Sequence, residues 1–217
     1  DALTAVSLAF PLQMLIIAFA LGVGVGVNSL IARKLGEGNK DAASQTASTG
    51  IFLAIINAIL FLLMGLFFTK FFMQMFSNDA TIVDMGTSYL SIVLIFSFGV
   101  FVEIACSRIL QATGNMIIPM ISQLIGAITN IILDPIFIFG LLGLPAMGIK
   151  GAAVATVIGQ IFSMIFSLTM FKIKTHDVHI QIRGFRPQMS TVIDIYKVGL
   201  PTIVMNAIGS VTTTFLN

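Results

Sequence analysis

Six stretches of this chain are long, apolar and nearly free of charge, which leaves little choice of fold. Residues 2–32, 42–69, 85–102, 151–171 and 198–217 contain no Asp, Glu, Lys or Arg, and 116–142 contains Asp134 alone. About 20 apolar residues cross a bilayer as a helix. Within lipid, backbone N–H and C=O groups must be satisfied inside the protein, and a helix does this within one segment. The runs therefore predict six membrane helices, several long enough to tilt, in an all-α polytopic fold. Composition agrees: 57% of residues are hydrophobic and 9% charged, against roughly 25% charged in an ordinary soluble domain. The single cysteine, Cys106, excludes an internal disulfide framework and a cysteine-based metal site. His176 and His179 fall in the most polar stretch and read as solvent-facing, with no third metal ligand nearby. No metal site and no nucleic-acid partner are expected.

The connections carry the charge. Arg33, Lys34 and Lys40; Arg108; and Lys172, Lys174, Arg183, Arg186 and Lys197 fall on alternate sides, nine of the eleven basic residues. Lys70 and Lys150 fall on the other. The positive-inside rule places the first group in the cytoplasm and residue 1 outside. With no initiator Met, no signal-peptide leader and an apolar run still open at Asn217, the chain reads as a fragment. At least one helix is expected before residue 1 and an unknown length after 217. The polar segment 173–187 is long and basic and ends in Pro187 before a fresh membrane run, which predicts a hinge between two helical bundles. A plain cytoplasmic loop is the alternative.

Asp134 is the residue that asks for a function. A carboxylate at bilayer depth costs roughly 2.5–3.5 kcal/mol on insertion scales. Asn130 precedes it by one helical turn, so both side chains share a face. Pro135 follows directly and has no N–H, which frees the carbonyl of Ile131 for a proton, a cation or water. Gln123, Ala127, Asn130 and Asp134 recur at helical spacing with Gly126 beside them, a stripe suited to lining a cavity. A polar contact that only joins helices is the bland reading, and it is the one favoured for Gln123. Burial disfavours the charged form of an acid, so protonation would switch Asp134 between neutral and anionic states. The segment outlines a proton or cation site inside a membrane.

Other features are weaker. Gly22-x-x-x-Gly26 lies inside an apolar run and reads as a close helix contact, not a nucleotide loop. Glu103 and Arg108 close one membrane run on its cytoplasmic side, five residues apart and so poorly placed to pair. For Glu103 an inter-helix or interfacial partner is expected ahead of a role in a gate or ion path. The 12 Met and 19 Phe are soft surfaces that fit varied apolar ligands, though most of them face lipid. No Ser-His-Asp set, HExxH or P-loop occurs, so no enzymatic activity is expected.

Several motifs, in this order and spacing, resemble the multidrug and toxic compound extrusion (MATE) transporters. They are Asp1-Ala2-Leu3-Thr4-Ala5-Val6 through Phe10-Pro11, and Gly26-Val27-Asn28-Ser29-Leu30-Ile31-Ala32-Arg33-Lys34-Leu35-Gly36-Glu37-Gly38-Asn39. Arg108-Ile109-Leu110-Gln111-Ala112-Thr113-Gly114-Asn115, Asn130-Ile131-Ile132-Leu133-Asp134-Pro135, Gly148-Ile149-Lys150-Gly151-Ala152-Ala153-Val154-Ala155-Thr156 and Gly199-Leu200-Pro201 complete the set. The resemblance covers essentially the whole chain. It implies twelve helices in two six-helix lobes, of which residues 1–172 would supply helices two to six of the first. Residues 173–187 would be the inter-lobe linker, and 188–217 the truncated first helix of the second lobe. In the DinF-like branch a proton or sodium site lies in the first lobe. Its fifth-helix Asn and Asp match Asn130 and Asp134, its sixth-helix Thr matches Thr156, and its fourth-helix Tyr matches Tyr89. The family's first-helix Asp would lie before residue 1. Where the NorM-like branch carries a seventh-helix Glu, this chain has Gly209, which implies the DinF-like branch.

The function implied is a cation-coupled antiporter, driven by H+ or Na+, that exports small organic cations or amphipathic drugs. It would sit as a monomer in the cell membrane, with no cofactor beyond the coupling ion, and Pro135 would mark a helix kink. The rival within the superfamily is a lipid-linked oligosaccharide flippase. It would place several basic residues in the central cavity, and none of the six runs has one in its interior. A non-transporting scaffold or sensor is a third reading, which a costly Asn–Asp–Pro set disfavours.

Overall fold

The computed structural model describes residues 2–143, 145–174, 178–180 and 186–216. Eight α-helices run through them in order. They are α1 (Ala2–Gly36), α2 (Lys40–Phe67), α3 (Thr69–Phe76), α4 (Ala80–Ile95), α5 (Phe98–Ala112), α6 (Ile117–Phe139), α7 (Ile149–Lys174) and α8 (Met189–Leu216). Five are long and apolar enough to cross a membrane, and α4 with α5, bent by 43° at their junction, makes a sixth span. The six apolar runs thus each fall on one span. Helix boundaries differ from the charge boundaries, because charge marks the edge of lipid and not the end of a helix. Helix α8 begins at Met189, so Asp194 and Lys197 lie within it. Arg108 lies inside α5, and α7 continues to Lys174. The short α3 was not foreseen. It presents Phe71, Met75 and Phe76 outward, the pattern of an interfacial helix.

Local chemistry sets the breaks. Asn39 caps α2, its side chain accepting from the Ala42 N–H at 3.0 Å. Asp79 caps α4 by accepting from Thr81 N–H at 2.8 Å, and Asn115 accepts from Ile118 N–H at 3.2 Å as α6 begins. Gly140 ends α6 with φ 71°, a conformation other residues adopt at a cost. Helix α6 is continuous through Pro135.

Lipid tails are as apolar as leucine, so helices associate here by close packing of small residues. Helix α1 buries Ala5, Ala9, Ala18, Ala20, Gly22, Gly24 and Gly26, and α2 buries Ala43, Ser44, Ala47, Ser48 and Gly50. Bulk fills the rest: Phe61 of α2 is 1% exposed and packs between Phe19 and Phe101, ring centroids 5.7 and 5.4 Å away. Helix α1 packs most extensively on α8, and α6 on α7. The Gly22-x-x-x-Gly26 face is the α1–α8 seam, where a Cβ on Gly26 would collide with the Ile195 carbonyl and one on Gly199 with the Gly22 carbonyl. At the same end of the bundle Val178 is fully buried, and the His179 N–H donates to Ser44 Oγ at 3.1 Å. His176 and Arg183 lie outside the described residues.

Just past α1, Glu37 accepts from Arg33 Nε and Lys34 Nζ, each at 3.0 Å. The hydrogen bond from Lys34, then that from Arg33, holds its carboxyl below the ordinary value. A folded-state value below the unfolded one means the clamp is complete above the usual carboxylate range and is lost as pH falls through the lowered value. Two outcomes are expected. Amide exchange at 37–39, corrected for intrinsic rates, should speed up on acidification, and Glu37→Gln should show the fast exchange already at neutral pH. Gly26→Val should destabilise the protein by about 1–3 kcal/mol through overpacking against backbone, read as a lower melting temperature in detergent. Gly36→Val, with open space around it, should leave that temperature nearly unchanged.

Candidate functional site

Helices α6 and α7 run antiparallel and meet at glycine. A Cβ on Gly159 would stand 2.8 Å from the Gly126 carbonyl, and one on Gly126 would stand 2.6 Å from Ser163 Oγ. This contact lets short side chains bridge the two helices. One turn beyond it, Asn130 Nδ2 donates to Asp134 Oδ1 and to Thr156 Oγ1, both at 3.3 Å. Thr156 spends its own proton on the Ala152 carbonyl at 2.9 Å, so its oxygen faces Asn130 as an acceptor only. Asp134 has no other hydrogen bond and no ion pair among the described residues. The set thus offers carboxylate, hydroxyl and amide oxygens with lone pairs to spare, which can receive a proton or a small cation.

Asn130, Asp134 and Thr156 are half-buried. Helix α6 buries only Ile118, Pro119 and Ser122 against its neighbours, while Ile128, Ile131 and Ile132 are exposed. Tyr89, the fourth expected member, stands apart. It is buried on α4, and its hydroxyl donates to Gln13 Oε1 on α1 at 3.2 Å. Asp134 remains within electrostatic reach of it. Gln13 was missed by sequence reasoning, although an amide in the middle of the uncharged 2–32 run, which holds only Asn28 besides, was a signal for it.

A cavity of about 230 Å³ opens beside the set, lined by Asn130, Thr156, Gln123, Gln160, Ser163 and Glu103 among others. Of the stripe on α6, Gln123, Gly126 and Asn130 line this cavity, whereas Ala127 and Asp134 do not. Glu103 has the inter-helix partner expected of it: Ser122 of α6 donates to Glu103 Oε1 at 3.1 Å. Arg108 turns away to Gln111 at 3.0 Å.

Comparison with known proteins supplies the lineage. The MatE family model matches residues 1–136. The chain is 26% identical over 215 residues to the multidrug export protein MepA of Staphylococcus saprophyticus, an alignment covering 99% of this chain and 47% of that protein. It is 30% identical over 199 residues to a probable multidrug resistance protein NorM of Thermotoga maritima, covering 91% of this chain and 42% of that protein. Among solved structures, the inward-facing conformation of a multidrug resistance MATE family transporter of the MOP superfamily superposes with a TM-score of 0.89 at 31% identity. That match covers 99% of this chain and 48% of the other. The chain spans less than half the length of these relatives. With the match to the family model extending over more than half of its residues, and with the helical fold of a solved member, the chain belongs to the MATE family of membrane transporters.

Proposed function

We propose that the chain forms part of a cation-coupled exporter of amphipathic organic compounds, with Asp134 as the group that takes up and gives back the coupling ion. The observation that carries this is the hydrogen-bonded set of Asn130, Asp134 and Thr156 across two facing apolar helices. A carboxyl group placed there at a cost, with lone pairs left over, is a poor way to hold helices together and a good way to hold a cation. Counted from Ile117 at about 1.5 Å per residue, Asp134 lies some 26 Å along α6, in its outer half if the basic loops are cytoplasmic. An ion arriving from outside would meet it first.

The chemistry follows from the set. With Asp134 anionic, Asn130 turns its N–H group to it; with Asp134 protonated or holding Na+, the amide can present its oxygen instead. The Ile131 carbonyl, left without a donor by Pro135, would supply a further oxygen. Either change alters the α6–α7 contact and so the cavity beside it. The names of the relatives support drug-like cargo, and Gly209 in place of a seventh-helix Glu supports the DinF-like branch. We further infer a monomer in the cell membrane, with 1–172 in the first lobe, 173–187 as the inter-lobe linker and 188–217 opening the second lobe.

Coupling is reciprocal: an ion that changes drug affinity must have its own affinity changed by the drug to the same extent. In the full-length transporter, Asp134→Asn should abolish drug-induced release of H+ or Na+ from the purified protein while the melting temperature stays at the wild-type value. Thr156→Val should weaken ion affinity about tenfold, the loss of one hydrogen-bonding oxygen worth roughly 1.4 kcal/mol. Undiminished ion release and drug resistance in the Asp134→Asn variant would remove Asp134 from the mechanism.

A further inference from the structure

Glu103 is the acid that the proposed site does not use. It lies on α5 and is 8% exposed, without an ion pair among the described residues. Its Oε1 accepts from Ser107 Oγ at 2.6 Å and from Ser122 Oγ at 3.1 Å. Behind it the hydroxyls run on: Ser167 Oγ donates to Ser122 Oγ at 2.8 Å, and Ser163 Oγ donates to the Ser122 carbonyl. Hydroxyls of α5 and α6 therefore hold this carboxyl, and those of α7 back the α6 hydroxyl, at a place where lipid-facing helices need none.

The charged groups of the surrounding elements are otherwise placed. Arg33 and Lys34 of α1 are held by Glu37, and Arg108 of α5 by Gln111. Lys40 and Asp41 belong to the first turn of α2, Lys150 to that of α7, and Lys172 to the last turn of α7. The buried thiol of Cys106 lies within electrostatic reach of Glu103. The one acid on α6 is Asp134. Ser122 and Asp134 are twelve residues apart on α6, about 18 Å at 1.5 Å per residue, or more than half of a hydrocarbon core of roughly 30 Å. The 230 Å³ cavity covers the part of this interval from Gln123 to Asn130, with Asn130 and Thr156, which bond Asp134 directly and through Asn130, toward one end and Glu103 toward the other. Gln123 and Gln160 line it between them, and Gln160 Oε1 is buried with no hydrogen-bond partner. A space of this size, with Glu103, Gln123, Asn130, Thr156, Gln160 and Ser163 on its wall, can hold several water molecules.

We propose that Glu103 is a second station for the coupling monovalent cation, receiving it from the Asp134 set through this cavity and passing it toward the cytoplasm. For a proton, the O–H bond of the Asp134 carboxyl breaks as one forms to a water, each water along the cavity passes a proton of its own to the next, and the last O–H bond forms on an oxygen of the Glu103 carboxylate. For Na+, the ion moves intact, exchanging the oxygens of Asp134, Asn130 and Thr156 for those of Gln160, Ser122 and Glu103. This rests on the proposed role of Asp134 and adds the inner half of the path.

The test uses the full-length transporter in inside-out vesicles, with drug-induced ion release followed on the cytoplasmic side by a pH dye and by radiosodium in parallel. The arm that responds identifies the cation. Glu103→Gln should leave drug affinity unchanged and slow cytoplasmic release on the order of 100-fold, the usual loss on removing a positioned proton-transfer group. It should also flatten the dependence of that rate on cytoplasmic-side pH or Na+, and Glu103→Asp should restore most of both. Gln160→Leu keeps both acids and removes an unpartnered polar atom. It should slow release while the melting temperature holds or rises, an effect that a purely structural role would not give. Wild-type release and an unchanged ion profile in Glu103→Gln, with Asp134→Asn uncoupled, would overturn the second station and leave Asp134 standing. If Glu103→Gln does not fold, wild-type release in Gln160→Leu overturns it equally. Normal coupling in Asp134→Asn would bring down the reading beneath it.

Discussion

The approach of α6 to α7 at Gly126 and Gly159 is the contact on which the candidate site depends. A methyl group at either position would press on the facing helix at 2.6–2.8 Å, and the helices would move apart. Asn130 already reaches Thr156 and Asp134 at 3.3 Å, the long end of the hydrogen-bond range. Any further separation would break the bridge. The same closeness places Ser122 against Ser163 and Ser167 two turns nearer the start of α6. One glycine contact thus holds two polar clusters in register, one on each side of it.

The α1–α8 seam uses the same physics for a different end. Gly26 and Gly199 bring two backbones together with carbonyls as the facing atoms, and Gly22 receives the Ile203 side chain. The α6–α7 contact spends its closeness on polar bridging, the α1–α8 contact on adhesion.

How much of this could be read from the sequence depends on the distance over which each feature is encoded. Spans are local, and absence of charge located all six, with errors only where a helix runs on past the lipid edge, as α8 does through Asp194 and Lys197. The Asn130–Asp134 pair is local too, one turn apart. Thr156 is 26 residues from Asn130, and no periodicity within one helix can find it; only resemblance to a family did. Gln13 and Tyr89 are 76 residues apart and were joined by neither route. The serines were invisible for another reason: Ser122, Ser163 and Ser167 barely interrupt an apolar run, and serine in a membrane helix satisfies itself on its own backbone as readily as it bonds a neighbour. Helix α3 was hidden because eight residues with one charge neither span lipid nor read as a loop.

The two acids differ in how their cost is met, and the difference fits a directional path. Asp134 is half-buried and held by a single amide, so little must be broken for an ion to enter or leave. Glu103 is more deeply buried and held by two hydroxyls, each of which can also turn toward another acceptor, as Ser122 does toward the Ser163 carbonyl at 3.1 Å. Hydroxyls donate and accept at the same atom, so this cluster can follow a carboxyl through loss or gain of a cation without stranding a donor. An amide anchored at the outer acid and a rotatable hydroxyl cluster at the inner one are complementary. On the proposed path the first would fix where the ion is taken up, and the second would let the inner site change state inside a packed core, where the penalty for an unpaired polar group is highest.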